Sequence, residues 1–319
     1  MFSKLMSMEE AISKFVHNGD CIALGGFVTN RKPYAAVYEI MRQGIKNLYI
    51  EGGPAGGDVD MLIGAGCVKV LFNSYLANSG YSQVCRRFRK AIEEGEILWE
   101  DYSLDVQPII YHAAALGLPY VAVKNMLGSS LVEKWGIPED VWENDPKLAP
   151  RKLIIERNPF NPEEQVCLLP TPKIDTAIIH VQKASTDGTC RIEGAVFVDI
   201  DIAMGATNCI VTCEELVHPS ELRREPWLNQ LPNIVPDAVV HVPYGAHPSQ
   251  CANYYDYDAN YYKLYDRVSG DDQKFKEFLD EWVYGVKNQS EYMNKLGFNR
   301  FANLWVRPGY GYAAGLKRG

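Results

Sequence analysis

Asn18-Gly19-Asp20-Cys21-Ile22-Ala23-Leu24-Gly25-Gly26-Phe27, followed by Pro33, decides the fold. The polar break at 18–20 ends a helical pattern and releases a four-residue apolar run, Cys21 to Leu24, with glycine on both sides, which reads as a strand. From Pro33 to Arg42 the apolar residues Ala36, Val37, Ile40 and Met41 recur at helical spacing. Gly44 stops them, and Leu48 to Ile50 reads as a second strand. Strand, helix, strand in immediate succession is a βαβ unit.

The alternation extends in both directions. Upstream, Met8 to Val16 has apolar residues at helical spacing. Downstream, Val68 to Phe72, Ile97 to Trp99 and Tyr120 to Val123 read as strands, separated by helical patterns over Tyr81 to Glu94 and Val106 to Leu116. Strands alternating with helices predict an α/β fold, an open doubly wound and mostly parallel sheet. From about 128 to 164 prolines interrupt charged sequence, and an irregular surface excursion is expected. Strand-like runs return at Ala177 to Val181, Cys209 to Thr212 and Ala238 to Val242. A helical region begins at about 271, with Phe275 to Val286 amphipathic, and residues 1–319 are expected to form a single domain.

Composition removes several function classes. The 319 residues carry 32 Lys+Arg against 40 Asp+Glu, a formal charge of −8, with no basic run. Nucleic-acid affinity rests on clustered cations, so no nucleic-acid partner is expected. The eight cysteines are scattered, several in apolar runs, and read as reduced core residues of a cytoplasmic protein. Cys209 and Cys213 lack the spacing and histidines of a zinc site, so no metal is expected. The start has no signal-peptide pattern, and no apolar stretch reaches membrane-spanning length, so no membrane association is expected.

In open α/β sheets ligands bind beyond the carboxyl ends of the strands. Four such loops carry candidate chemistry. In Gly25-Gly26-Phe27-Val28-Thr29-Asn30-Arg31-Lys32-Pro33 the glycines either let backbone approach a ligand or only form a tight turn. In Asn73-Ser74-Tyr75-Leu76-Ala77-Asn78-Ser79-Gly80 the polar residues are helix caps or ligand donors. Gly52 to Asp58 shapes a cleft or permits tight packing. Gly128-Ser129-Ser130 is a polar turn or a fourth wall. His247 suits either a general base or a packing role.

The Asn18 to Phe27 stretch with Pro33 resembles the signature of the A-type subunit of class I CoA-transferases, in the branch acting on glutaconate. The resemblance continues through His180 to Ala184, Thr212 to Glu215, Tyr244 to Cys251 and Tyr254 to Asp258. It implies the CoA-transferase fold, of the NagB/RpiA-like type. It also implies transfer of CoA between a short acyl-CoA such as acetyl-CoA and a dicarboxylate such as glutaconate, as in amino-acid fermentation. No permanently bound cofactor is implied, the coenzyme A thioester being a substrate. Substrate contacts are implied at Gly25, Gly26, Phe27, Arg31, Asn73, Ser74, Asn78, Ser79, Gly80 and Ser129. Arg31 stands where the family pattern has glycine, and a guanidinium there suits clamping a second carboxylate.

The family's glutamate nucleophile lies in a Glu-Asn-Gly or Glu-Ser-Gly motif of the B-type subunit, and no such motif occurs in this chain. The resemblance therefore implies a catalytic partner chain in a hetero-oligomer, a tetramer or octamer. The roles of Glu51, in Glu51-Gly52-Gly53, and of Asp101 and Ser103 stay open at this point. So do two alternatives on the same fold: a decarboxylase or ring-cleaving hydrolase acting on CoA thioesters, and a non-catalytic ligand-binding protein.

Overall fold

The computed structural model describes residues 3–307 and 309–315. Cys21–Leu24 (β1) is buried along its whole length and lies mid-sheet, because strands flank it on both sides. On one side follow Leu48–Ala55 (β2), Val68–Leu76 (β3) and Leu98–Asp101 (β4), each parallel to its neighbour. Tyr120–Val123 (β5), Ile154–Asn158 (β6) and Asn161–Pro170 (β7) stand apart as an antiparallel sheet in the order β5-β7-β6. The chain then returns to the other side of β1 with Ile174–Ser185 (β8), to which Cys190–Arg191 (β9) pairs antiparallel. Ala206–Val217 (β10) and Ala238–His241 (β11) complete the parallel sheet, β11-β10-β8-β1-β2-β3-β4.

Helices cover both faces. Met8–Phe15, Tyr34–Arg42 and Gly57–Gly64 pack on one, over a core that includes Ile12, Ile40, Leu62 and Ile50. The later helices Ala259–Ser269 and Asp272–Leu279 add Tyr261, Tyr265 and Phe278 to that core. Each such side chain stabilises the fold by about 1.5–3 kcal/mol through apolar burial. Helices Val106–Ala115 and Asp199–Gly205 cover the second face. They meet closely, since a Cβ at Gly205 would lie 3.1 Å from the Ala115 nitrogen. The first helix is set by a capping box, Ser7 bonding the Glu10 N–H while Glu10 bonds back to Ser7.

Four expectations change. Tyr120–Val123 is a strand as read, but it pairs antiparallel with β7 rather than joining the main sheet. The helix expected from Tyr81 begins at Arg86, and 77–85 is a loop. The 128–164 excursion is not an irregular surface segment. It folds into the helices Ser130–Glu133 and Glu139–Asn144 and the β6-β7 hairpin, and buries Ile137, Trp142 and Leu153. Its anchor is a buried ion pair, Lys152 Nζ to Glu100 at 2.7 Å, with Glu100 also accepting from the Gly136 and Ile137 amides. Gly136 is obligatory here, because a Cβ would sit 2.0 Å from the Trp99 carbonyl oxygen. Helices also begin before 271, at Ala259.

Candidate active site

The strand order reverses between β1 and β8, so the crevice beyond their carboxyl ends is where an open α/β sheet places its ligand. Three loops are stitched into one ledge along this edge. The Val28 amide donates to the Pro54 carbonyl at 3.1 Å, joining the loop after β1 to the end of β2. The Gly57 amide donates to Asn78 Oδ1 at 2.8 Å, joining the end of β2 to the loop after β3. Beneath them, Lys32 and Asp58 form a fully buried ion pair at 3.0 Å. The later segment around Ser249 and Gln250 clamps onto the first loop: the Arg31 amide bonds the Gln250 carbonyl and the Lys32 amide bonds Ser249 Oγ.

At the switch point itself the chain fills its own crevice. Gly26 has φ +75°, and a Cβ on it would meet the Asn30 carbonyl oxygen at 2.4 Å, so the tight turn requires glycine. Gly25 is needed for a close approach, but the group approaching is Asp199, whose Oδ1 lies 2.6 Å from where a Cβ would be. Asp199 accepts from the Gly26 amide at 3.1 Å and pairs with Arg31 at 2.8 Å. Arg31 is buried, and its two terminal nitrogens also donate to the carbonyls of His180 and Ala195. The expectation that Arg31 clamps a substrate carboxylate is therefore corrected: its guanidinium is committed to holding the loop. Phe27 stacks on Phe197 with ring centroids 5.0 Å apart and stays half-buried.

The second loop divides. Asn73 and Ser74 lie within β3 rather than after it. Asn73 accepts from the Trp99 indole and Ser74 donates to Gln107 at 2.7 Å, so both serve packing. Asn78 is buried and holds the Gly57 amide. Ser79 and Gly80 are exposed, and Ser79 caps no helix, since Cys85 is the N-cap of the helix that follows. The Ser79 hydroxyl lies 3.2 Å from that of Tyr75, also exposed. Ser129 sits on the excursion, its hydroxyl closing onto the Met126 carbonyl, and no hydrogen bond among the described residues ties it to the ledge.

The open cases resolve by burial. His247 bonds Tyr292 at 2.7 Å and Asp258 at 3.0 Å, and burial holds its pKa down, so it packs. Asp101 ends β4 half-buried with its pKa raised by desolvation, and the Ser103 hydroxyl bonds Asp105. Glu51 lies mid-strand in β2, away from the ledge, and burial pushes its carboxyl up to about 8. All eight cysteines are free and buried. His180, Glu214 and Cys251 bring potential ligand atoms within 4.8 Å of one another. Glu214 there accepts from His180, from the Tyr255 hydroxyl and from the Tyr244 amide, a clasp that holds the late segment to β8 and β10.

Asp199 escaped the sequence reading, and Asp58 and Tyr75, though inside the candidate loops, were not singled out there. Asp199 lies 168 positions from Arg31, with no local signal to connect them.

This glycine-turned ledge belongs to a chain whose residues 5–242 match the coenzyme A transferase family model. The chain belongs to the coenzyme A transferase family. It is 54% identical to the A-type subunit of glutaconate CoA-transferase from Acidaminococcus fermentans, over 97% of both chains. It is 34% identical to the A-type subunit of 3-oxoadipate CoA-transferase from Pseudomonas knackmussii, over 92% of this chain and 98% of that one. The crystal structure of glutaconate coenzyme A-transferase from A. fermentans superposes with a TM-score of 0.96 at 53% identity, covering 98% of each chain. As a CoA-transferase of the A type, the chain presents to thioester chemistry a rigid ledge with few open donors. No helix among the described residues is long and apolar enough to cross a membrane.

Proposed function

We propose that this chain is the A-type half of a heteromeric, cytoplasmic CoA-transferase that exchanges CoA between a short acyl-CoA, such as acetyl-CoA, and a dicarboxylate of the glutaconate class. The observation that carries the reading is 54% identity over 97% of both chains to the A-type subunit of a glutaconate CoA-transferase. The ledge supports it by what its acids do. Asp58 and Asp199 are each neutralised by a buried cation, so neither is free to attack a thioester.

The nucleophile is accordingly a glutamate of a B-type partner. Its carboxylate attacks the thioester carbonyl, forming an acyl anhydride and releasing CoA thiolate. The thiolate attacks the glutamyl carbonyl, freeing the first acid and leaving an enzyme thioester. The incoming dicarboxylate then repeats the two exchanges in reverse, so each product leaves before the next substrate reacts. In this scheme the chain supplies the wall: the exposed Ser79 hydroxyl and the loop through Gly80 donate to a carboxylate or thioester oxygen.

Co-expression with a B-type CoA-transferase subunit tests the reading. The purified pair is expected to move CoA from acetyl-CoA to glutaconate, and either chain by itself to be inactive. A pair that cleaves or decarboxylates a CoA thioester without exchange overturns it.

A further inference from the structure

Between the second face of the sheet and the helix Val106–Ala115 lies a cavity of about 310 Å³, within the range of small-ligand sites. Its mouth is at the opposite edge from the ledge. Cys21, which begins β1, lines it, as do the exposed residues Lys147 and Lys173, and Lys173 immediately precedes β8. Aromatic and apolar side chains form the walls, among them Phe72, Ile110 and Trp142.

The polar groups of the cavity are few and incompletely bonded. Glu51 accepts from the Tyr111 hydroxyl at 3.1 Å through one oxygen, and its other oxygen has no hydrogen-bond partner among the described residues. The Tyr102 hydroxyl, also on the lining, has no hydrogen bond there either. Both atoms remain accessible from the cavity, so a complementary ligand atom can bond them.

We infer that this cavity is a second small-molecule site, separate from the ledge, that takes a monocarboxylic acid with a compact apolar body. The apolar body fits between Phe72, Ile110 and Trp142, and the carboxylate accepts from protonated Glu51 and from the Tyr102 hydroxyl. Lys147 at the mouth is paired with Asp175 at 2.7 Å, which leaves Lys173 as the cation there that favours an incoming anion. A buried Glu51 retains its proton at neutral pH because desolvation lifts it to about 8, so it acts as donor. The titratable groups facing it are Tyr111 from the helix, Tyr102 beyond β4, Cys21 on β1 and Tyr49 on β2, with Lys147 and Lys173 at the mouth and Asp175 and Asp20 beside Lys147. Burial holds Tyr111, Tyr102 and Cys21 protonated well above their usual values, and the Asp175 carboxylate keeps Lys147 charged. Glu51 is thus the donor that is lost as pH rises.

Calorimetric titration of the full chain with 3-phenylpropanoate, beside the equally shaped 2-phenylethylammonium, tests this. The carboxylate is expected to bind at about pH 6.5 and to weaken roughly tenfold or more by about pH 9.5, as Glu51 ionises and repels it. Glu51→Gln keeps a donor and is expected to bind with the pH dependence removed. Ile110→Trp fills the cavity and is expected to abolish binding. The inference is overturned if the wild type does not bind the carboxylate at the lower pH, or if the ammonium binds in preference. It is also overturned if a folded Ile110→Trp variant still binds. Should that variant not fold, an undiminished pH dependence in Glu51→Gln overturns it equally.

Discussion

At the carboxyl edge of the sheet Arg31 faces Asp199 and Lys32 faces Asp58, each buried charge beside its opposite. At the cavity near the other edge, buried Glu51 has no cation bonded to it among the described residues and accepts from the neutral Tyr111 hydroxyl. The two regions share strands and differ in how the charge is paid for. Where counterions are supplied, the acids are bound and unreactive, and the backbone around them is fixed. Where none is supplied, the acid keeps its proton and leaves a polar atom unbonded. The ledge therefore reads as a rigid wall whose charges are already matched, and the cavity as a place able to take a ligand of its own.

The contrast breaks most sharply at Asp199. Asp199→Ala leaves the Arg31 guanidinium buried without its counterion and frees the Gly26 amide, at an expected cost of about 3–5 kcal/mol by urea unfolding. Pairing it with Arg31→Met, so that no charge remains, is expected to recover much of that loss. If the single variant is as stable as wild type, the ledge is not held by its ion pairs.

The cavity gives a different signature, in pH. Folded Glu51 keeps its proton to about pH 8, whereas its ordinary value is 4.5. Between those values folding takes up a proton, so stability falls as pH rises and levels off above the folded pKa. Asp60, raised to about 6 by burial, acts with the same sign at lower pH. His247, which burial holds below its ordinary 6.5, acts with the opposite sign up to about pH 7, so the window from about 7 to 8 is the one that isolates Glu51. Glu51→Gln is expected to flatten the stability profile there, measured by denaturant midpoints across the window. An unchanged slope would mean that Glu51 is ionised in the folded chain.

Asn78→Ala comes next. It removes the acceptor for the Gly57 amide and uncouples the loop after β3 from the end of β2. The expected loss is about 1–2 kcal/mol, with faster amide exchange at Gly57 as the local readout.

The sequence made the alternation of strands and helices around Cys21 to Leu24 plain, because periodicity and glycine breaks are local properties. What it concealed was pairing at a distance. Arg31 looked like an open cation because its counterion is 168 positions away. The excursion looked irregular because its prolines are local, while Glu100 and Lys152, which anchor it, meet only in the fold. Tyr120–Val123 has strand character wherever it pairs, and propensity carries no information about which sheet receives it. At the site, the glycines were legible as backbone requirements, but whether a ligand or Asp199 occupied the space beside Gly25 was not.

Ser79 is the smallest perturbation and separates wall from scaffold. Its side chain is exposed, and among the described residues its hydroxyl bonds only the exposed Tyr75 hydroxyl, so Ser79→Ala is expected to shift stability by less than about 0.5 kcal/mol. If that hydroxyl donates to a thioester or carboxylate oxygen in the assembled enzyme, turnover falls by roughly tenfold to a hundredfold while assembly is retained. A larger fall in kcat than rise in KM places the donor on the transition state rather than on bound substrate. Tyr75→Phe removes the neighbouring hydroxyl and leaves Ser79 in place. If only this second variant slows exchange, the donor is Tyr75. If neither does, the loop after β3 contributes shape alone, and the polar contacts of the reaction all come from the partner chain.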